Sequence, residues 1–119
     1  MRLPRIFIRL LKPLKERRLA EQRAYELLRS HLSRTQRAQF DSFGRFDVIG
    51  SDTGRLYVVR NLTSINIDEF DTDGVCTMKW CFVPSGQLAQ GDVLLAQKLA
   101  LECFESEALL QARAYRPNA

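Results

Sequence analysis

Residues 80–104 read WCFVPSGQLAQGDVLLAQKLALECF, and the reading of this stretch decides the fold. It opens as the end of a strand, passes through a short Pro-Ser-Gly loop, and becomes a strongly apolar helix. Asp92 stands just before the apolar run, where a carboxylate can accept from free backbone N–H groups, so the sequence predicts it as the N-cap. Gly91 before it supplies freedom to turn into the cap. The helical angle then groups Val93, Ala96, Leu99, Ala100, Cys103 and Phe104 on one broad face, with Lys98, Glu102 and Glu105 opposite. On this phase Leu99 and Phe104 supply most of the buried area, and Leu99→Ala is expected to cost roughly 2–5 kcal/mol.

Upstream, four short segments alternate apolar and polar residues and are joined by turn-like sequences. RFDVIGS (45–51) is followed by the turn SDTG, RLYVVR (55–60) is its return strand, and SINIDEF (64–70) leads to DTDG (71–74). VCTMKWCFV (75–83) is the longest, with Cys76, Met78, Trp80 and Phe82 on one face as the expected seat of the 92–104 helix. Short turns between consecutive strands imply an antiparallel meander. Before the strands, residues 14–32 form a helix with Ala20, Ala24, Leu27, Leu28 and Leu32 on one face, interrupted by Arg17 and Glu21. Ser33 and Gln36 make a capping box that starts a short helix ending at Gly44, with Phe40 and Phe43 expected on one surface. The predicted fold is α+β: N-terminal helices, a four-stranded antiparallel β-meander, and a C-terminal amphipathic helix packed on the sheet. The segment after Phe104 either continues that helix or restarts at Ser106.

The chain has 119 residues, which fits one domain, residues 14–119, preceded by an arm of residues 1–13. The arm, MRLPRIFIRLLKP, contains no acid, and Pro13 is expected to end or kink any helix there. Residues 1–40 carry eleven Lys/Arg against three Asp/Glu, whereas residues 41–119 carry seven against eleven. The basicity therefore belongs to one end. Arg2, Arg5, Arg9, Lys12, Lys15, Arg17 and Arg18 are candidates for contact with an anionic partner, and Ile6, Phe7, Leu10 and Leu11 for apolar docking.

Motifs for catalysis or metal binding are absent from the sequence. The three cysteines, Cys76, Cys81 and Cys103, form no CxxC pair, and His31 is the only histidine, so no structural zinc site is expected. There is no glycine-rich phosphate loop and no nucleophile elbow. The acidic run at 69–74 departs from a calcium loop in its closing position, Trp80, and in its flanking strands. No catalytic residue, cofactor or small-molecule substrate is indicated, and a cytoplasmic setting with reduced thiols is expected.

FDVIGSDTGRLYVVR (46–60), the acidic-glycine turn, Cys81 to Pro84, and GDVLLAQKLALE (91–102) together resemble a widespread group of small bacterial and phage-associated proteins of uncharacterised function. The similarity spans roughly residues 20–112 and is most specific in GDVLLAQKLALE. NLTSINIDEFDTDG departs from the more glycine-rich connection of that group. The resemblance implies a single bacterial cytosolic domain and transfers no activity. The functional expectation is a non-enzymatic protein-binding or self-associating module, with a protein partner or homo-oligomer. Nucleic-acid binding through the basic arm and peripheral attachment to an anionic membrane through residues 1–18 are the alternatives.

Overall fold

The computed structural model describes residues 5–86 and 88–118, with side chains described from Pro13 onward. Its elements run α1 (Arg5–His31), α2 (Arg34–Phe43), β1 (Arg45–Ile49), β2 (Leu56–Arg60), β3 (Ile67–Phe70), β4 (Cys76–Cys81), α3 (Gln90–Gln111) and β5 (Arg113–Tyr115). The strands form one antiparallel sheet in chain order. The fold class is the α+β arrangement expected, with a fifth strand added. RAY at 113–115 carries no alternating apolar signal, and β5 forms because the chain leaving α3 falls beside β4, pairing Trp80 with Ala114.

Local signals explain the elements that the sequence places well. Ser33 Oγ accepts from the Gln36 N–H at 3.1 Å and Gln36 Oε1 accepts from the Ser33 N–H at 3.0 Å. Gly44 then takes φ 67° and returns its N–H to the Phe40 carbonyl. In the β3–β4 hairpin, Asp71 Oδ1 accepts from the N–H groups of Asp73 and Val75. The outer edge of β1 is closed by α2: Asp47 N–H donates to Gln39 Oε1 and Asp47 C=O accepts from Gln36 Nε2, at 2.9 and 2.8 Å. Two glutamines thus stand where a neighbouring strand would.

One sheet face holds the core. Phe46 and Val48 of β1, Tyr57 and Val59 of β2, and Ile67 of β3 pack with Leu28 and Leu32 of α1 and with Leu94 and Leu101 of α3. The helix α1 is assigned continuously through Pro13, where the sequence suggested a stop or kink. The missing proline N–H deprives the helix of one bond, and residues 13–20 beyond it are all exposed. Along α1, Ala24, Leu28 and Leu32 are buried as expected, while Ala20 and Leu27 are exposed.

The phase of α3 differs from expectation. Its buried positions are Gly91, Val93, Leu94, Gln97, Lys98, Leu101 and Glu105. Leu99 is 43% exposed and Phe104 59%, Cys103 is exposed, and Ala96 and Ala100 are half-buried. Apolar residues nearly encircle this helix, so hydrophobicity alone leaves its rotation undetermined, and the three polar buried positions point the apolar count the wrong way. The N-cap is Ala89, which has no capping side chain, and Asp92 lies in the first turn. The cap comes from α1: Glu21 Oε2 accepts from the Gln90 N–H at 3.2 Å. Gly91 serves close approach, since a Cβ there would stand 2.5 Å from the Ala24 carbonyl carbon. The helix accordingly packs chiefly on α1 and over β1 and β2, with Trp80 and Phe82 as peripheral contacts instead of its main seat. Cys76 also leaves the expected stripe, because a bulge between Glu69 and Phe70 breaks the alternation and pairs Cys76 with Phe70. Phe40 packs edge-on against Phe46, but Phe43 points to solvent.

Candidate functional site

Backbone geometry interrupts α3 at Phe104 (φ −143°, ψ 46°), and the break is built by residues far away in sequence. The loop between β1 and β2 supplies caps: Ser51 Oγ accepts from the Glu105 N–H, and Asp52 Oδ2 accepts from both the N–H and the hydroxyl of Ser106. Those hydrogen bonds hold the Asp52 carboxyl below its ordinary range. In return, the fully buried Glu105 carboxylate accepts from the N–H groups of Asp52 and Thr53, the Thr53 hydroxyl, and the Tyr57 hydroxyl. Burial would raise the Glu105 carboxyl, but the bonds from Thr53, Tyr57 and the loop amides outweigh it and hold the group lower than usual. Burial and the bond to Glu105 push the Tyr57 hydroxyl far up. Loop and helix break therefore cap each other.

A second buried carboxylate, Glu69, faces the same core. It accepts from Arg55 Nη1 at 2.8 Å, Thr77 Oγ1 at 3.2 Å and Trp80 Nε1 at 3.2 Å. It lines a groove of about 780 Å³ together with Phe70, Met78, Trp80 and Leu109. Glu69, Tyr57 and Glu105 are the residue types of acid–base chemistry, but Glu105 is held ionised and Tyr57 protonated, so neither is poised to exchange a proton near neutral pH. Among the described residues no buried side-chain polar atom lacks a partner. The same economy holds at Gln97, which exchanges amide hydrogen bonds with Asn66 and donates to the Phe82 carbonyl. Ile65, just before Asn66, takes φ 48°, a costly conformation for a β-branched residue that accompanies the inward turn of Asn66. Among the described residues no cluster of His, Cys, Asp and Glu could hold a metal ion, and the cysteines are unpaired.

The basic candidates fall on α1. Lys15, Arg17 and Arg18 are exposed and make no ion pair among the described residues. Arg5, Arg9 and Lys12, and the apolar Ile6, Phe7, Leu10 and Leu11, belong to α1 by backbone, while their side chains lie outside the described residues, as does Arg2 altogether. From Pro13 to Ala20 every side chain is exposed, Leu14 and Leu19 included. Among the described side chains of α1, burial against the body begins at Glu21. Residues 5–20 thus form a rod about 24 Å long, at 1.5 Å per residue. The molecule measures 61 Å in its long dimension against 29 and 28 Å in the others. Within the described residues no helix is long and apolar enough to cross a membrane. No family model matches the chain, and no curated protein or solved structure matches it either.

Proposed function

We propose that this protein is a non-enzymatic association module that docks a protein partner, a second copy of itself foremost, through the N-terminal half of α1. The observation that carries the reading is the helix from Arg5 to Ala20, which is continuous although residues 13–20 bury none of their side chains. Most helical stability in proteins comes from packing of a face, so an exposed helical stretch calls for a surface to lie on. Leu14 and Leu19 offer the apolar contacts. A second copy also offers complementary charge, because the excess of base lies in residues 1–40 and the excess of acid in residues 41–119.

The test is sedimentation equilibrium of the full chain beside a Leu14→Asp/Leu19→Asp variant. Both leucines are exposed, so the variant keeps its core. The reading expects concentration-dependent self-association that the variant loses. A full chain that stays monomeric at high concentration removes self-association, and an unchanged variant removes α1 as the docking element.

A further inference from the structure

The sheet face opposite the core carries most of the sheet's charged side chains; Val58 and Asp68 are buried at its centre, and its exposed groups lie toward its two edges. Side chains alternate along each strand, so the residues between the core positions project from this second face. Register puts Arg45 of β1 directly opposite Arg60 of β2, and Lys79 of β4 opposite Tyr115 of β5, with Arg113 alongside at Cys81. Like charges directly opposite on an antiparallel pair repel. The deeply buried Asp68 carboxylate offsets part of this charge, holding Arg60 at 2.8 Å and Lys79 at 2.9 Å. Burial would raise the Asp68 carboxyl, and these two cations more than reverse that. Arg45 and Arg113 have no carboxylate partner among the described residues.

Aromatic rings stand at both ends of this strip. Phe43, 67% exposed, lies under the Arg45 guanidinium at 5.0 Å, and Tyr115 is 38% exposed at the β5 end. Beside Phe43, a cleft of about 290 Å³ is lined by Arg45, Arg60 and Asn61. The Tyr25 hydroxyl donates to Asn61 Oδ1, which leaves the amide nitrogen of Asn61 available as a third donor. An oxyanion placed there answers the facing guanidinium groups, whose planar forks suit phosphate. From β1 to β5 the strip spans about 19 Å, four inter-strand spacings. Cations that follow a backbone, with exposed rings on which bases stack, are the chemistry of single-strand binding.

We propose that this sheet face binds single-stranded nucleic acid. Phosphates would be held by Arg45, Arg60, Lys79 and Arg113, and bases would stack on Phe43 and Tyr115. This is independent of the association through α1. A face lined in this way suits an unpaired strand, whose bases are free to stack, better than a duplex.

The test is fluorescence anisotropy of a labelled oligo(dT) or oligo(rU) of roughly a dozen nucleotides, within the site sizes of single-strand binders, titrated with the full chain across a salt series. Binding should weaken with salt. Arg45→Gln and Arg113→Gln should each flatten the log–log salt slope by about 0.7. Phe43→Ala should weaken binding by roughly five- to 150-fold, the range of one lost base stack. These side chains are exposed, and a matching melting curve confirms folding of each variant. Absence of binding at low salt overturns the proposal. So does binding that survives all three substitutions but is lost in Lys15→Gln/Arg17→Gln/Arg18→Gln, which would place the contact on α1. Preference for duplex over single strand, or for a polyglutamate probe over either, overturns it as well.

Discussion

Replacing Glu105 with Ala removes the acceptor on which the loop between β1 and β2 and the break in α3 both depend. Of its four donors, the N–H groups of Asp52 and Thr53 belong to exposed residues and can turn to water, so their loss costs little. The Tyr57 hydroxyl cannot, because Tyr57 is fully buried and its bond to Glu105 Oε2 is 2.5 Å long. A hydrogen bond to a charged group contributes about 1.5–3 kcal/mol, and an orphaned buried hydroxyl costs a further 1–3 kcal/mol. The expected loss is about 3–5 kcal/mol, a large part of the 5–15 kcal/mol typical of a domain. Urea denaturation followed by circular dichroism reads this as a lower midpoint at unchanged slope. Tyr57→Phe in the same background supplies the control. Removing the hydroxyl as well as the carboxylate abolishes the orphan, so the double variant should be less destabilised than the sum of the singles by about 1–3 kcal/mol. A loss under about 1 kcal/mol for Glu105→Ala, or additivity within about 0.5 kcal/mol, would refute the claim that Glu105 ties helix to loop.

Gly91→Ala should destabilise by about 1–3 kcal/mol, since its Cβ would meet the α1 backbone at Ala24 and Tyr25; helix propensity alone favours Ala by up to about 1 kcal/mol, so a stabilised variant would show that the helices are not in contact there. Leu101→Ala should cost about 2–5 kcal/mol and Leu99→Ala less than about 1 kcal/mol, and the reverse order in chemical denaturation would return α3 to the phase expected from its sequence. Acid should unfold the protein through Glu105 and Asp68. Both folded-state values lie below the ordinary 4.5 and 3.8, so their stabilisation is complete above those values and is lost as pH falls through the lowered ones. A urea midpoint flat from neutral pH down to about pH 5, then falling, is the expected profile, and Glu105→Gln should reduce the fall.

Features of this chain written in neighbouring residues are legible in its sequence. The Ser33–Gln36 box, the stop at Gly44 and the Asp71–Gly74 turn each need only a few adjacent side chains. Features made between distant residues are not. The bond from Gln36 to Glu102 spans 66 positions, the caps from Asp52 to Ser106 span 54, and the amide pair of Asn66 and Gln97 spans 31. Arg17 and Glu21 do mark α1 as atypical for a core helix, but the role of Glu21 as the cap of α3 is visible only once the two helices cross. The charge excess of residues 1–40 is equally plain, whereas the cationic strip on the sheet emerges only when register brings Arg45 beside Arg60 and β5 adds Arg113 and Tyr115.

A helix apolar on nearly all sides gains similar burial at several rotations about its axis, so the hydrophobic effect, which lacks direction, separates those rotations weakly. Gln97, Lys98 and Glu105 do separate them. Rotating Gln97 away from Asn66 and the Phe82 carbonyl strands a buried amide. Rotating Glu105 strands the Tyr57 hydroxyl, while Lys98, paired with Glu102 at 2.6 Å, would turn that ion pair away from Gln36. Each stranded group costs about 1–3 kcal/mol, more when charged. Leu94 and Leu101 supply burial energy to α3, and its three buried polar residues select the one rotation in which that burial is accompanied by complete hydrogen bonding.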